Sequence, residues 1–309
     1  MQYGLVYMGS KSGIVTELCR VFPKADNFYD LFGGGFAVSH FMLLHRGRDY
    51  KTFTYNEIQP GFSDLIKDAI NGKYSYNNFK PKFITREEFK KLKDSDAYVK
   101  LCWSFGCNGR DYLFNPETER LKHALHNAVV FNEFDELAKE LLGIETFTEP
   151  DIKKRRISTK QLLKNRCELQ QLQQLERLEQ LQQLERLERL QQLEQLQRLD
   201  LKTGSYIDVK IKSNSVVYCD PPYQNTGGYK TQNGLCDFNH KELFEWACDQ
   251  KEPVFMSEYN IDHAGLKKVW SKEKRVTLCA SDKRKKKIEN LYANEAGLKS
   301  IKYGHDLFL

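Results

Sequence analysis

The chain has no run of apolar residues approaching twenty, and no N-terminal pattern of basic, apolar and small-residue segments. Both absences predict a soluble, cytoplasmic protein without a membrane partner. Its eight cysteines, at positions 19, 102, 107, 167, 219, 236, 248 and 279, form no CxxC pair. That argues against a zinc site or a dithiol redox centre, so no metal is expected and the thiols read as reduced. GxGxxG is also missing, which removes the usual pyrophosphate turn of a dinucleotide enzyme.

What is present suits a globular chain of 309 residues, either one large domain with an insertion or two domains. The net charge of +6 is concentrated in two runs, Lys153-Lys154-Arg155-Arg156 and Lys283-Arg284-Lys285-Lys286-Lys287. Each run reads equally well as a solvated surface or as a contact to phosphate. The first 72 residues alternate strand and helix: an extended start, a Gly-Ser-Lys-Ser turn and a helix, then "NFYDLFGGGFAVSHFMLLHRG", then "YKTFTYNEIQPGFSDLIKDAING". The rhythm returns after Ser205, with strands predicted in "SNSVVYCDPPY", "EPVFMSEYN", "RVTLCA" and "GLKSIKYGHDLFL". Helices are predicted in "NHKELFEWACDQ" and "DHAGLKKVW", and "SDKRKKKIENLYAN" reads as a polar stretch between the last two strands. Such alternation predicts a parallel sheet covered by helices and interrupted by a long insertion.

Within the interruption, leucine recurs at every third position from Leu169 to Leu199 in a background of Gln, Glu and Arg. Composition favours a helix. Three residues turn a helix by only about 300°, so the leucines are expected to spiral, leaving some exposed. A leucine-stacked solenoid is the alternative. The segment is expected to be an inserted repeat without chemistry.

Three features carry chemistry. Gly33, Gly34 and Gly35 lie between a strand and a helix, where backbone can approach a nucleotide-like ligand. Glu57 ends the next strand, placed to accept hydrogen bonds from both hydroxyls of a ribose. Asp220-Pro221-Pro222-Tyr223 ends the strand "VVYC". In that order, the three features resemble the Dam-type (D12 class, alpha-group) DNA adenine-N6 methyltransferases, over nearly the whole chain outside the repeat. "YMGSKSG" is similar to the family's N-terminal motif, "YDLFGGGF" to its cofactor loop and "NEIQ" to its ribose turn. "WSFGCNGRDYLFN" is similar to its DNA-reading hairpin, "VVYCDPPY" to its catalytic motif and "SDKRKKKIENLYAN" to its basic segment. Leu31 stands where the family loop has proline, and Phe36 where it has the last glycine.

The resemblance implies an α/β fold: a Rossmann-like methyltransferase sheet with helices on both faces, plus an inserted, mainly helical DNA-recognition domain. The expected divisions are 1–72 for the cofactor-binding part, 73–160 for target recognition, 161–203 for the repeat and 204–309 for the catalytic part. S-adenosyl-L-methionine is the implied cofactor. Tyr7, Lys11, Asp30, Phe32, Gly33, Gly34, Gly35, Glu57, Ile58 and Asp220 are its implied contacts. Double-stranded DNA is the implied partner, met by Lys11, Asn108, Arg110, Tyr112, Lys283, Arg284 and Lys285; a separately acting restriction endonuclease is compatible with this. Asp220, Pro221, Pro222 and Tyr223 are the implied catalytic residues.

The physics of the catalytic motif matches that reading. The exocyclic amine of adenine is a poor nucleophile because its lone pair is delocalised into the ring. Asp220 and the Pro221 carbonyl can accept its two N–H bonds, and the prolines stiffen the loop that aims them. Fixed acceptors also stabilise positive charge developing on nitrogen. Tyr223 offers a ring to stack on a base taken out of the duplex. A cytosine-N4 methyltransferase and a DNA-binding protein that has lost catalysis remain as alternatives.

Overall fold

The computed structural model describes all residues except 1, 6, 8, 77–78, 106–107, 167–177, 194–195, 225–229, 232–233, 236–237, 276–285 and 306–309. The chain divides into two compact units, Met1–Gly4 with Ser10–Ser63 and Gln195–Leu309, and Leu5–Gly9 with Asp64–Glu194.

The first unit is built on a seven-stranded sheet. In chain order its strands are β1 (Asn27–Asp30), β2 (Thr52–Glu57), β3 (Leu199–Thr203), β4 (Ser215–Cys219), β7 (Val254–Glu258), β8 (Lys267–Arg275) and β9 (Lys286–Ala293); β5 (Lys230–Thr231) and β6 (Gly234–Leu235) form a separate ribbon. The sheet order is β3-β2-β1-β4-β7-β9-β8. The first five are parallel, and β9 runs antiparallel to both β7 and β8. Central strands buried on both faces explain the continuous apolar runs in the sequence. One set of alternate residues, Tyr29, Leu31, Val217, Cys219, Val254 and Met256, packs with Leu243, Phe244 and Ala247 of the helix His240–Asp249. The other set brings Phe28, Tyr218 and Phe255 around Phe22. The strand order reverses beside β1, which opens a crevice at the carboxyl ends of β1 and β4.

Three expectations are corrected here. Residues 262–270 were expected to be helical, but Lys267–Arg275 is a strand paired to Lys286–Ala293. Pairing to a distant partner overrides the local helix formers. The polar stretch at 281–294 therefore supplies strand β9. "RVTLCA" lies almost wholly outside the described residues. The last expected strand is instead the helix Glu295–His305. Its start was legible, because Asn294 accepts from the Gly297 amide at 2.9 Å, the geometry of an N-cap.

The second unit is mainly helical, with helices Arg86–Leu92, Ala97–Cys102, Pro116–Phe131, Glu136–Leu142, Ile152–Arg166 and Glu179–Arg189. Part of the leucine repeat belongs to its core. Leu178, Leu181, Leu184, Leu187, Leu190 and Leu193 are all between 0% and 5% exposed, so over this part of the repeat the spiral leaves no leucine in water; Leu169, Leu172 and Leu175 lie outside the described residues. The helix is only 11 residues long, so a drift of about 60° per triplet cannot carry the leucines around it. It then tightens into a 3₁₀ turn, Leu190–Gln192, whose three-residue period realigns them. The drift also turns glutamine inward, and Gln180 is fully buried with its amide nitrogen 3.2 Å from His126 Nδ1. The end of the repeat leaves this unit and forms β3 in the sheet. The first basic run is used internally: Lys153 pairs with Glu188 at 2.6 Å and Arg156 with Glu185 at 2.9 Å.

Candidate active site

The site assembles at the carboxyl ends of β1, β2 and β4. Asp30 ends β1 opposite Tyr218 of β4, and the Leu31 amide continues the pairing to the Tyr218 carbonyl at 3.0 Å. Asp220 follows the last residue of β4, so the two carboxylates leave adjacent parallel strands. Glu57 ends the neighbouring strand β2.

The loop after β1 is shaped by its neighbours. A Cβ on Gly33 would lie 2.1 Å from the Tyr55 ring, so only glycine fits there. Tyr55 donates to the Gly34 carbonyl at 2.7 Å, while the Gly34 amide donates to Glu57 Oε2 at 2.9 Å. Asn56 donates to the carbonyls of Leu31 and Gly204, tying β1, β2 and β3 together at this end. Phe36 adopts φ +66°, the left-handed region that favours glycine. The residue that replaces the family glycine thus keeps a glycine's conformation. Its buried ring, edge-on to Tyr55 and stacked near His40, offsets the strain.

Asp30 is buried. Its Oδ2 accepts from Ser39 at 2.7 Å, whereas Oδ1 has no hydrogen-bond partner. Burial raises its carboxyl to about 7 against the Ser39 hydrogen bond, with Asp220 and Glu57 adding repulsion. The Glu57 carboxylate also accepts from the Gln59 amide at 3.0 Å. Ile58, beside it, is 67% exposed. Phe32 is half-buried, its ring against Tyr206 and Phe238.

Lys11 is buried, with its ammonium 2.7 Å from Asp220 Oδ2 and 3.4 Å from Glu289 Oε1. Burial works to lower its pKa, but the two carboxylates outweigh that and hold it above the ordinary lysine value. The same ammonium sits over the Tyr223 ring at 4.9 Å. Tyr223 donates to Glu289, and the edge of its ring meets Tyr259 at 4.7 Å. Burial and the neighbouring Asp220 and Glu289 charges keep the Tyr223 phenol protonated. His240 Nε2 lies 2.7 Å from the Pro222 carbonyl, and the Gln224 amide donates to Glu258 at 2.9 Å. These contacts fix the loop on both sides of Tyr223, and the buried Pro221 begins it.

Sequence reasoning missed Glu289, Glu258, His240 and Tyr259. The available signal was Glu289, a lone acid between basic residues and the strand-like "NLYA".

The hairpin-like segment lies in the other unit. Trp103 and Leu113 are joined by a backbone hydrogen bond, and Ser104 bridges to Tyr112. Asn108 Oδ1 accepts from the amides of Arg110 and Asp111, so its side chain holds the turn. Tyr112 is buried, donates to the Ile84 carbonyl at 2.6 Å and lies under the Arg86 guanidinium. Arg110 and Phe105 are exposed. Tyr7 is half-buried and groups with this unit. Lys283, Arg284 and Lys285 fall outside the described residues.

Residues 7–149 match the family described as D12 class N6 adenine-specific DNA methyltransferase. This region belongs to that family. The family's activity is adenine-N6 methylation of DNA, so a methyl donor and a DNA substrate go with the match. A search of curated proteins finds no match to the chain. Among the described residues no cluster of His, Cys, Asp or Glu could hold a metal ion, and no helix is long and apolar enough to cross a membrane.

Proposed function

We propose that the chain is a site-specific DNA adenine-N6 methyltransferase that uses S-adenosylmethionine and acts on an adenine flipped out of duplex DNA. The observation that carries this reading is the convergence of Gly33–Gly35, Glu57 and Asp220-Pro221-Pro222-Tyr223 at the carboxyl ends of three neighbouring parallel strands. The residues fit the cofactor. Asp30 Oδ1 is a buried acceptor without a partner, suited to an ammonium N–H. The Glu57 carboxylate, at the end of β2, is a charged acceptor suited to ribose hydroxyls. Ile58 offers exposed apolar surface to a base. When bound, S-adenosylmethionine supplies a methyl group on a sulfonium.

Asp220 and the Pro221 carbonyl accept the two N–H bonds of the adenine amine, which frees its lone pair for in-line attack. Their fixed negative character stabilises the cationic nitrogen that develops, and its extra proton leaves after transfer. Tyr223 stacks on the extruded base. In the second unit, Arg110 is the candidate to grip guanine O6 and N7, whereas Asn108 and Tyr112 serve by shaping the turn that presents it. Lys283, Arg284 and Lys285 are candidates for phosphate. A cytoplasmic setting goes with a DNA substrate.

The deciding experiment incubates the protein with duplex DNA and methyl-labelled S-adenosylmethionine, then digests to nucleosides. Label in N6-methyladenosine is expected. Label only in N4-methylcytidine, or no label, would overturn the reading.

A further inference from the structure

Lys11 and Asp220 pose a problem that the proposed chemistry does not solve by itself. Asp220 accepts the adenine amine in the proposed chemistry, and its Oδ2 is engaged by the Lys11 ammonium at 2.7 Å, so offering that oxygen to the substrate draws it away from Lys11. Turning Asp220 toward a substrate would leave a cation, whose side chain is only 4% exposed, short of its nearest countercharge. A buried ammonium deprived of its partner is strongly destabilising. The structure holds a second carboxylate within reach: Glu289 Oε1 stands 3.4 Å from Lys11 Nζ on a side chain 2% exposed.

We propose that Glu289 is a positioning residue that takes over the Lys11 ammonium when Asp220 turns to the adenine amine. This rests on the methyltransferase reading above. Glu289 lies on strand β9 opposite Lys272 of β8, next to Asn290, which pairs with Glu258 of β7, so its backbone is held. Tyr223 donates to the same carboxylate, which couples the ring of the catalytic loop to the acid that receives Lys11. An ammonium has three N–H donors and can pass between the two carboxylates without losing both. The groups facing Lys11 and this pair include Asp30, Tyr218, Tyr223, Glu258 and Tyr259, and the three tyrosines are held neutral by burial.

The test compares Glu289→Gln, Glu289→Asp, Lys11→Met and the double variant E289Q/K11M, with folding checked by thermal melts. Glutamine keeps an acceptor for Tyr223 but removes the charge. It is expected to slow single-turnover methylation roughly tenfold, less than the loss from removing a group that touches the reacting atoms. Cofactor affinity should be unchanged, and aspartate should restore much of the rate. In the K11M background, E289Q should cost less than about threefold, because the two residues act as one unit. A full tenfold loss there would mean Glu289 does not act through Lys11. A second readout does not need methylation: NMR titration of labelled lysine should show the Lys11 pKa fall by about one unit in E289Q. An unchanged Lys11 titration would overturn the proposal. A wild type that fails to methylate would overturn the preceding reading, while this titration would still decide whether Glu289 holds the ammonium.

Discussion

The crevice at the ends of the parallel strands and the helical unit both bury polar side chains, but they leave them in different states. In the helical unit many polar groups serve the fold itself, although the neutral atoms Tyr98 Oη, Trp103 Nε1 and Gln180 Oε1 are buried there without a hydrogen-bond partner. Asn108 spends its carbonyl on two amides of its own turn, Tyr112 donates to a backbone carbonyl, and Lys153 and Arg156 pair with glutamates of the leucine segment. In the crevice, Asp30 keeps a buried oxygen without a partner. Lys11 lies between the carboxylates of Asp220 and Glu289 there. Burying charge costs stability. A fold retains such groups where they serve a ligand, so the charged residues of the crevice are the ones to test for chemistry and those of the helical unit the ones to test for shape.

The largest expected effect breaks the comparison on its structural side. Leu184→Ala removes a fully buried side chain from the leucine segment and should destabilise the protein by about 2–5 kcal/mol. Denaturant unfolding measures this. A loss below about 0.5 kcal/mol, the range for an exposed residue, would return the repeat to a surface insertion. Deleting whole triplets from this part should also unfold the helical unit.

On the chemical side, Asp220→Ala should lower kcat at least ~10²-fold, the scale of one lost preorganised partner. Binding of S-adenosylmethionine should change little, because the residue acts on the adenine amine. Quench-flow methylation with cofactor titration separates the two, and a variant with half the wild-type turnover would refute the assignment.

Glu57→Ala probes the cofactor side of the same crevice. It should weaken S-adenosylmethionine by roughly 1.5–3 kcal/mol, the value of hydrogen bonds to a charged acceptor. Calorimetry is the check. Loss of the Gly34 anchor contributes to the effect, because Glu57 also holds that amide. Glu57→Gln keeps an acceptor for one of the two amides, the Gly34 or the Gln59 amide, and should therefore recover only part of the affinity.

How much of this was legible in the sequence follows from how local each signal is. β1, β2, β4 and β7 were readable as short apolar runs ended by acid or turn residues, and those same ends carry Asp30, Glu57 and Asp220. Lys267–Arg275 was not readable, because its strand state depends on pairing with Lys286–Ala293 and its local composition says helix. Composition correctly suggested a helix for Glu179–Arg189, whereas the leucine period misled about exposure there, since helix length and the 3₁₀ end depend on packing. Glu289 stood out only as a lone acid beside a basic run, and its place in the site was not readable for the same reason. Its role comes from Lys11 and Tyr223, which are 278 and 66 residues away in the chain.

The smallest expected effect concerns the proton on Asp30. Burial raises this carboxyl from an ordinary 3.8 to about 7. A folded-state pKa above the unfolded value means the fold favours the protonated form. The associated stability is therefore present below the unfolded pKa and is lost as pH rises through about 7. A cationic ligand reverses the preference, because it favours the ionised carboxylate. Binding of S-adenosylmethionine should accordingly tighten roughly tenfold between about pH 6 and about pH 7.5, as Asp30 gives up its proton. Glu258 also titrates near 7, raised by burial against the Gln224 and Tyr259 amides, so the wild-type profile alone does not assign the proton. Asp30→Asn removes the titrating group and keeps an oxygen to accept from Ser39. It should flatten the pH dependence of binding and also remove the fall in stability toward neutral pH. If the profile of Asp30→Asn keeps its slope while Glu258→Gln loses it, the linked proton belongs beside the catalytic loop and not at the end of β1.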